Sequence, residues 1–147
     1  MSVVDATGHV VGRLASVLAK RLLNGEEIVV VNAENAIVTG RRSVVFQEYR
    51  ARHQRGSTTS RMRGMGPRYP RRPDMILRRT ISRMMPYQLP RGRTALKRLR
   101  VYLSIPNEFK DQPLETIPDA KRPPQGPFLR LGEIAVLLGS KFEGRTR

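Results

Sequence analysis

The chain has 147 residues, enough for one domain, and at 39% hydrophobic it carries the material for one modest core. Twenty-eight Lys and Arg against twelve Asp and Glu give a formal net charge of +16, which opposes compaction and makes nucleic acid the default partner. With no cysteine, disulfides and thiolate metal sites are excluded.

The amino terminus, MSVVDATGHV, lacks a basic start followed by a long apolar stretch, so no signal peptide is expected. Ser2–Ala6 reads as a short buried strand and Asp5-Ala6-Thr7-Gly8 as a turn. Gly12–Asn24 has helical periodicity, with Val11, Leu14, Ala15, Leu18, Ala19, Leu22 and Leu23 on one broad side and Gly25 as its stop. Glu26–Ala33 is β-branched and continuously apolar, which suits a central strand covered on both faces. Strand, helix and strand with tight connections make a βαβ unit, hence an α/β fold. The longest aliphatic run, Ile28–Val31, is far too short to cross a bilayer, and a soluble cytoplasmic protein is expected.

Asn35–Gly40 reads as a further strand and Arg41–Gln54 as a helix packing through Val44, Val45, Phe46 and Tyr49. A basic loop over 56–73 has no apolar periodicity. Proline followed by an acid at Pro73-Asp74 opens a helix through Met85, with Leu77, Ile81 and Met84 inward and Arg79 and Arg83 outward. Met85–Arg93 reads as a second basic loop, Thr94–Leu99 as a short helix and Arg100–Ile105 as a strand. The prolines of 106–127 indicate an extended, unpacked connection, and a last helix spans 131–139.

Charge is unevenly placed. Between Arg41 and Arg100 stand eighteen basic residues and two acids, Glu48 and Asp74, while the rest of the chain is balanced. A solvated face would mix its signs, so this band reads as a binding surface. Its loops are rich in Pro and Gly and fit irregular folded RNA better than the major groove of a regular duplex. Arginine, 23 of the 28 basic residues, grips phosphate with a planar fork. Tyr69 and Tyr87 stand inside the loops, where each ring either stacks on an unpaired base or packs on its own domain.

Other chemistry finds little support. The turn Thr7–Arg13 spaces its glycines as Gly8-x-x-x-Gly12, which matches neither the P-loop nor the dinucleotide fingerprint. His9 lies near Asp5 and His53 among Arg50, Arg52 and Arg55, without a nucleophile motif or metal-ligand spacing. No enzyme, cofactor, metal or small-molecule substrate is expected; an enzyme acting on nucleotides through Asp5, His9 and the Gly8–Gly12 turn is the weakest reading.

Specific residues carry a resemblance. Val4–Glu34, the Ile37–Gly40 segment IVTG, and Met84–Pro106 together resemble the universal large-subunit ribosomal protein L13 family, and the tail FLRLGEIAVLLGSKF is similar to its archaeal and eukaryotic branch. The resemblance implies one α/β/α domain over 1–147 with a small, mainly parallel four-stranded sheet. It also implies a non-catalytic role in binding large-subunit ribosomal RNA, during assembly and in the mature cytoplasmic ribosome, beside neighbouring ribosomal proteins. By motif, Arg13 belongs to the first signature, and Pro86, Arg91, Gly92, Lys97 and Arg98 to the second. Arg83 departs from the pattern, standing where the family commonly has glycine.

Band and resemblance together nominate Arg13, Arg41, Arg42, Arg61, Arg63, Arg68, Tyr69, Arg71, Arg72, Arg79, Arg83, Tyr87, Arg91, Arg93, Lys97 and Arg98 as RNA-binding residues. Those of 61–72 are expected to thread a crevice as an arm, and those of 79–98 to form a firmer patch beside it. The rival from another class is a free RNA- or DNA-binding regulator using the same surface.

Overall fold

Four β-branched residues in a row leave Ile28–Val31 no polar face, and every one of them is buried. The computed structural model describes residues 1–55, 69–121 and 125–142. In chain order it runs β1 (Ser2–Asp5), α1 (Val11–Leu23), β2 (Ile28–Val31), β3 (Ile37–Thr39), α2 (Arg42–Gln54), α3 (Pro73–Arg83), α4 (Pro90–Lys97), β4 (Leu99–Val101), β5 (Leu114–Glu115), β6 (Phe128–Arg130) and α5 (Leu131–Leu137), with 3-10 turns at Ala33–Asn35 and Asn107–Phe109. The main sheet has the order β4-β2-β1-β5, and all its pairings are parallel. β3 leaves that sheet and pairs antiparallel with β6, Val38 opposite Leu129. The expected α/β fold with a four-stranded parallel sheet is therefore present. No helix among the described residues is long and apolar enough to cross a membrane.

Strand alternation sorts the sheet's side chains. Val4, Ile28, Val30 and Leu99 face the main core, with Leu14, Leu18 and Leu22 of α1, Leu77 and Ile81 of α3, and Ile134 of α5. Each large aliphatic chain buried there contributes about 1.5–3 kcal/mol relative to exposure. Val3, Val29 and Val31 face the other way, against Phe109, Tyr102 and Ile105.

The structure corrects several local expectations. Met84 is 45% exposed and Met85 only 4%, so the inward residue of that pair is Met85, beyond the end of α3 where the chain turns back under the helix. Leu23 and Val44 are exposed, and Val45 is the buried member of α2. The helix expected at Thr94 begins at Pro90, because proline suits a first turn that needs no N–H partner. Arg91 and Arg93 thereby move from a loop onto a helix. β4 is shorter than Arg100–Ile105; the chain leaves the sheet at Tyr102, and Ser104 has φ +38°.

The proline-rich connection is the largest correction. Among the described residues, Pro106 precedes the 3-10 turn, Pro113 precedes β5, and Pro118 enters a turn. The segment so divided supplies the sheet's edge strand and buries Phe109, Ile117 and Ala120. An edge strand tolerates nearby proline because one side of its ladder is unpaired.

This segment also closes the carboxyl end of the sheet. Taken in chain order, the sheet strands are wound 3-2-1-4, the order of a doubly wound nucleotide-binding half, whose ligand crevice lies beyond β1 and β5. Here the crevice holds the chain itself. His9 is fully buried. Its Nε2 accepts the Ile117 N–H at 3.1 Å, and its Nδ1 lies 3.1 Å from the Thr7 carbonyl. A carbonyl only accepts, so Nδ1 carries the proton. The Val10 N–H at the start of α1 donates to the Ala120 carbonyl (3.0 Å), where a phosphate would otherwise sit.

Asp5, Asn32 and Glu34 complete the closure. The Asp5 carboxylate accepts from Asn32 Nδ2 (2.9 Å), Thr7 N–H (3.0 Å) and the Thr7 hydroxyl (2.8 Å). Burial pushes its pKa up, but the hydrogen bonds from Asn32 and Thr7 outweigh it and hold the group below its ordinary 3.8. Glu34 accepts the Ser104 N–H and ties β4's exit to the same edge. Its partial burial pushes its own pKa up.

Two outcomes follow. Replacing His9 with alanine strands a buried N–H and a carbonyl beside a cavity, and is expected to lower the unfolding free energy in urea by roughly 2–5 kcal/mol. Asp5's contribution is present above 3.8 and lost as pH falls through its lower folded value; in an acid titration of stability, Asp5→Asn should flatten the curve below about pH 4.

Candidate nucleic-acid interface

Both acids of the basic band are paired inside it. Arg72 forks onto the buried Asp74 carboxylate, Nε at 3.2 Å and Nη2 at 2.9 Å. Glu48 pairs with Arg52 one helical turn away on α2. The remaining sixteen basic residues of the band have no acid of the same segment to neutralise them. The balanced part of the chain behaves differently: Arg21 bridges Glu26 (2.7 Å) and Glu115 (2.8 Å) and fastens α1 to β5.

The described nominated residues are spread over several parts of the molecule. Arg13 lies on the exposed side of α1, opposite its buried stripe. Arg41 and Arg42 open α2, and Arg42 lines a recess with Arg130 and Glu133. Arg71 is exposed before α3, and Arg72 lines a cleft of about 870 Å³ with Tyr102, Ser104 and Lys110 at the exit of β4. Arg91, Arg93 and Lys97 are exposed on α4. Arg98, half-buried, lies beside Gly25 at the foot of α1. Arg61, Arg63 and Arg68, with most of the expected arm, lie outside the described residues.

Tyr69, Arg79 and Arg83 do come together. The Arg79 guanidinium carbon sits 4.3 Å from the Tyr69 ring centroid and that of Arg83 5.9 Å, within cation–π range. The His53 ring meets Tyr69 edge-on at 6.3 Å. Tyr69 thus packs on its own protein, one of the two roles left open for it. Tyr87 is 44% exposed at the tip of the α3–α4 turn.

Arg52 and Arg55, absent from the nominated residues, line the α2 wall of a cleft of about 450 Å³ facing Tyr69 and α3, together with His53 and with Tyr49, which packs on the core as expected. The signal was legible: Tyr49, Arg52 and His53 follow the i, i+3, i+4 spacing of one helix face. Arg52 lies 5.3 Å from the Tyr49 ring. Burial raises the Tyr49 pKa above its ordinary 10.0, with Arg52 opposing and Glu48 reinforcing, so its hydroxyl stays a neutral donor.

The second signature has a steric basis. Gly92, in the first turns of α4, packs on the loop that precedes it. A methyl group there would overlap the Pro86 carbonyl and come within 2.9 Å of Tyr87 N. Pro86 and Gly92 thus lock turn to helix and fix the bearing of Tyr87, Arg91 and Arg93. Among the described residues, no group of three or more His, Asp or Glu is placed to hold a metal.

Residues 1–108 match the family model described as ribosomal protein L13. The large ribosomal subunit protein uL13 of Methanosarcina barkeri is 48% identical over 97% of this chain and 100% of its own length. The chain belongs to the ribosomal protein L13 family. The uL13 proteins of Archaeoglobus fulgidus (44% identical over 94% of this chain and 87% of the relative) and Methanocaldococcus jannaschii (41%, over 97% and 100%) agree. Membership in this ribosomal protein family sets aside the enzymatic reading. The closed crevice is then a structural feature: Asp5, Asn32 and Glu34 tie its loops together by hydrogen bonds, and Gly92 seats α4 on the loop before it.

Gly92→Ala is expected to destabilise the chain by about 1–3 kcal/mol, read from its chemical denaturation midpoint, because the Pro86–Tyr87 backbone has to move.

Proposed function

We propose that this chain is a constituent of the large ribosomal subunit that binds ribosomal RNA through its Arg41–Arg100 band and supports subunit assembly. The carrying observation is the pairing pattern: the band's two acids are taken up by Arg72 and Arg52, and its other described cations lie on or beside α2, α3 and α4, with Arg100 on β4, while the rest of the chain is balanced in charge. Folded RNA supplies closely spaced phosphates that answer such a surface. Arg41, Arg71, Arg91, Arg93 and Lys97 are the exposed phosphate contacts. Arg61, Arg63 and Arg68 join them on the sequence argument, as do Arg13 and Arg98 through the family signatures. Neighbouring ribosomal proteins and a cytoplasmic location accompany this reading.

A free nucleic-acid-binding regulator would use the same charges, and sedimentation separates the two. A ribosomal constituent travels with large subunits at moderate salt, whereas a regulator stays near the top of the gradient. In filter binding to large-subunit ribosomal RNA, affinity should fall steeply with salt, and replacing Arg91 or Arg93 with glutamine should reduce the log–log slope by about one each. A shallow slope in the wild-type chain would overturn the reading.

A further inference from the structure

Phosphate contacts need only exposed cations, yet the α2–α3 cleft is a recess. Its volume, about 450 Å³, falls in the range of small-molecule pockets. Its walls are of two kinds. Tyr49, Tyr69, Ile76 and Met84 supply aromatic and aliphatic surface, while Arg52, Arg55, Arg79 and Arg83 bring positive charge. Glu48, an acid at the rim, is paired with Arg52. His53, which lines the recess, has its Nε2 shielded from solvent and without a hydrogen-bond partner among the described residues. A buried ring nitrogen left unpaired is unfavourable, and a ligand edge carrying donors and acceptors relieves it.

One ligand meets all of these features. A nucleotide has a flat ring to lie against an aromatic or guanidinium surface, a polar edge to meet a buried nitrogen, and an anionic phosphate. We propose that the α2–α3 cleft receives a single extruded nucleotide of the bound RNA, its base against the Tyr69–Arg79 wall with an edge toward His53, and its phosphate near Arg52, Arg55 and Arg83. This rests on the RNA-binding reading above and adds to it a specific seat for an unpaired base. Tyr69 then contributes to base binding by backing Arg79 as well as through its own ring. Arg83, the departure from the family pattern, adds a cation at the same wall.

The test uses the full chain. The 5′-monophosphates of adenosine, guanosine, cytidine and uridine, and inorganic phosphate at matched ionic strength, are titrated separately while the ring resonances of His53, Tyr49 and Tyr69 are followed by NMR. The expected result is a saturable shift of these rings with at least one nucleotide and not with inorganic phosphate. Equal shifts with phosphate alone, or no shift with any nucleotide, overturn the proposal; this experiment needs no variant. In parallel, His53→Leu and Tyr69→Leu, checked for cooperative unfolding, are expected to bind large-subunit ribosomal RNA roughly tenfold more weakly at every salt concentration with an unchanged salt slope. Unchanged affinity, or a loss that comes with a shallower slope, also sinks the nucleotide seat while RNA binding by the rest of the band stands. Failure of the wild-type chain to bind that RNA sinks the broader reading instead.

Discussion

Sixteen excess positive charges have to be kept off a small aliphatic core, and the rest of the molecule is arranged around that separation. The parallel sheet and its covering residues take their buried side chains largely from valine, leucine, isoleucine and alanine. The charged residues of the balanced portion tie elements together, as Arg21 does between α1 and β5. The surplus is gathered into one stretch of chain, carried on helices whose inner faces alone join the core. α2 shows the extreme form: of thirteen residues only Val45 is fully buried, with Tyr49 packed against the core beside it.

A doubly wound strand order normally leaves a crevice at the carboxyl edge of the sheet. This fold gives that crevice to its own carboxyl-terminal half. His9, buried and bonded on both ring nitrogens, joins the first turn to a segment more than a hundred residues away. Asp5 and Asn32 fasten the neighbouring loop, Asn32 with the left-handed backbone that asparagine tolerates better than most residues. Motif residues that resemble a nucleotide loop in outline are here structural. In the proposed reading, RNA is met instead by the arginine side chains of α2, α3 and α4, which need no backbone cradle to reach a phosphate.

Local pattern carried much of this. The continuous β-branched run at Ile28–Val31 can only be a covered strand, and the spacing of Leu14, Leu18 and Leu22 can only bury one side of a helix. Gly25, at φ +102°, ends that helix as its position suggested. Misreadings fell where a few residues decide between neighbours. Met84 and Met85 are chemically identical, and which one is buried depends on how the chain turns after α3. Pro90 could as well have ended a loop as begun a helix. The prolines of 106–127 argued against packing, yet Pro106, Pro113 and Pro118 stand between short elements and leave them free to dock. Tyr49 was expected as a packing residue of α2, but Arg52, His53 and Arg55 were not nominated, because which cations share the Tyr49 face of the helix was left unasked.

The sequence alone determined the aliphatic core, the βαβ start and the concentration of cations in one stretch, because burial and charge repulsion act on residue type and local period. It also determined the family, since the signatures record local needs such as the missing side chain at Gly92. Only the tertiary structure decided that the carboxyl-terminal half closes the crevice, that Arg21 of α1 answers Glu115 of β5, and that Tyr69 packs on Arg79 as one wall of a cleft facing α2. Those contacts join residues whose positions are set by packing of the whole chain, and no periodicity within a segment encodes a distance between segments.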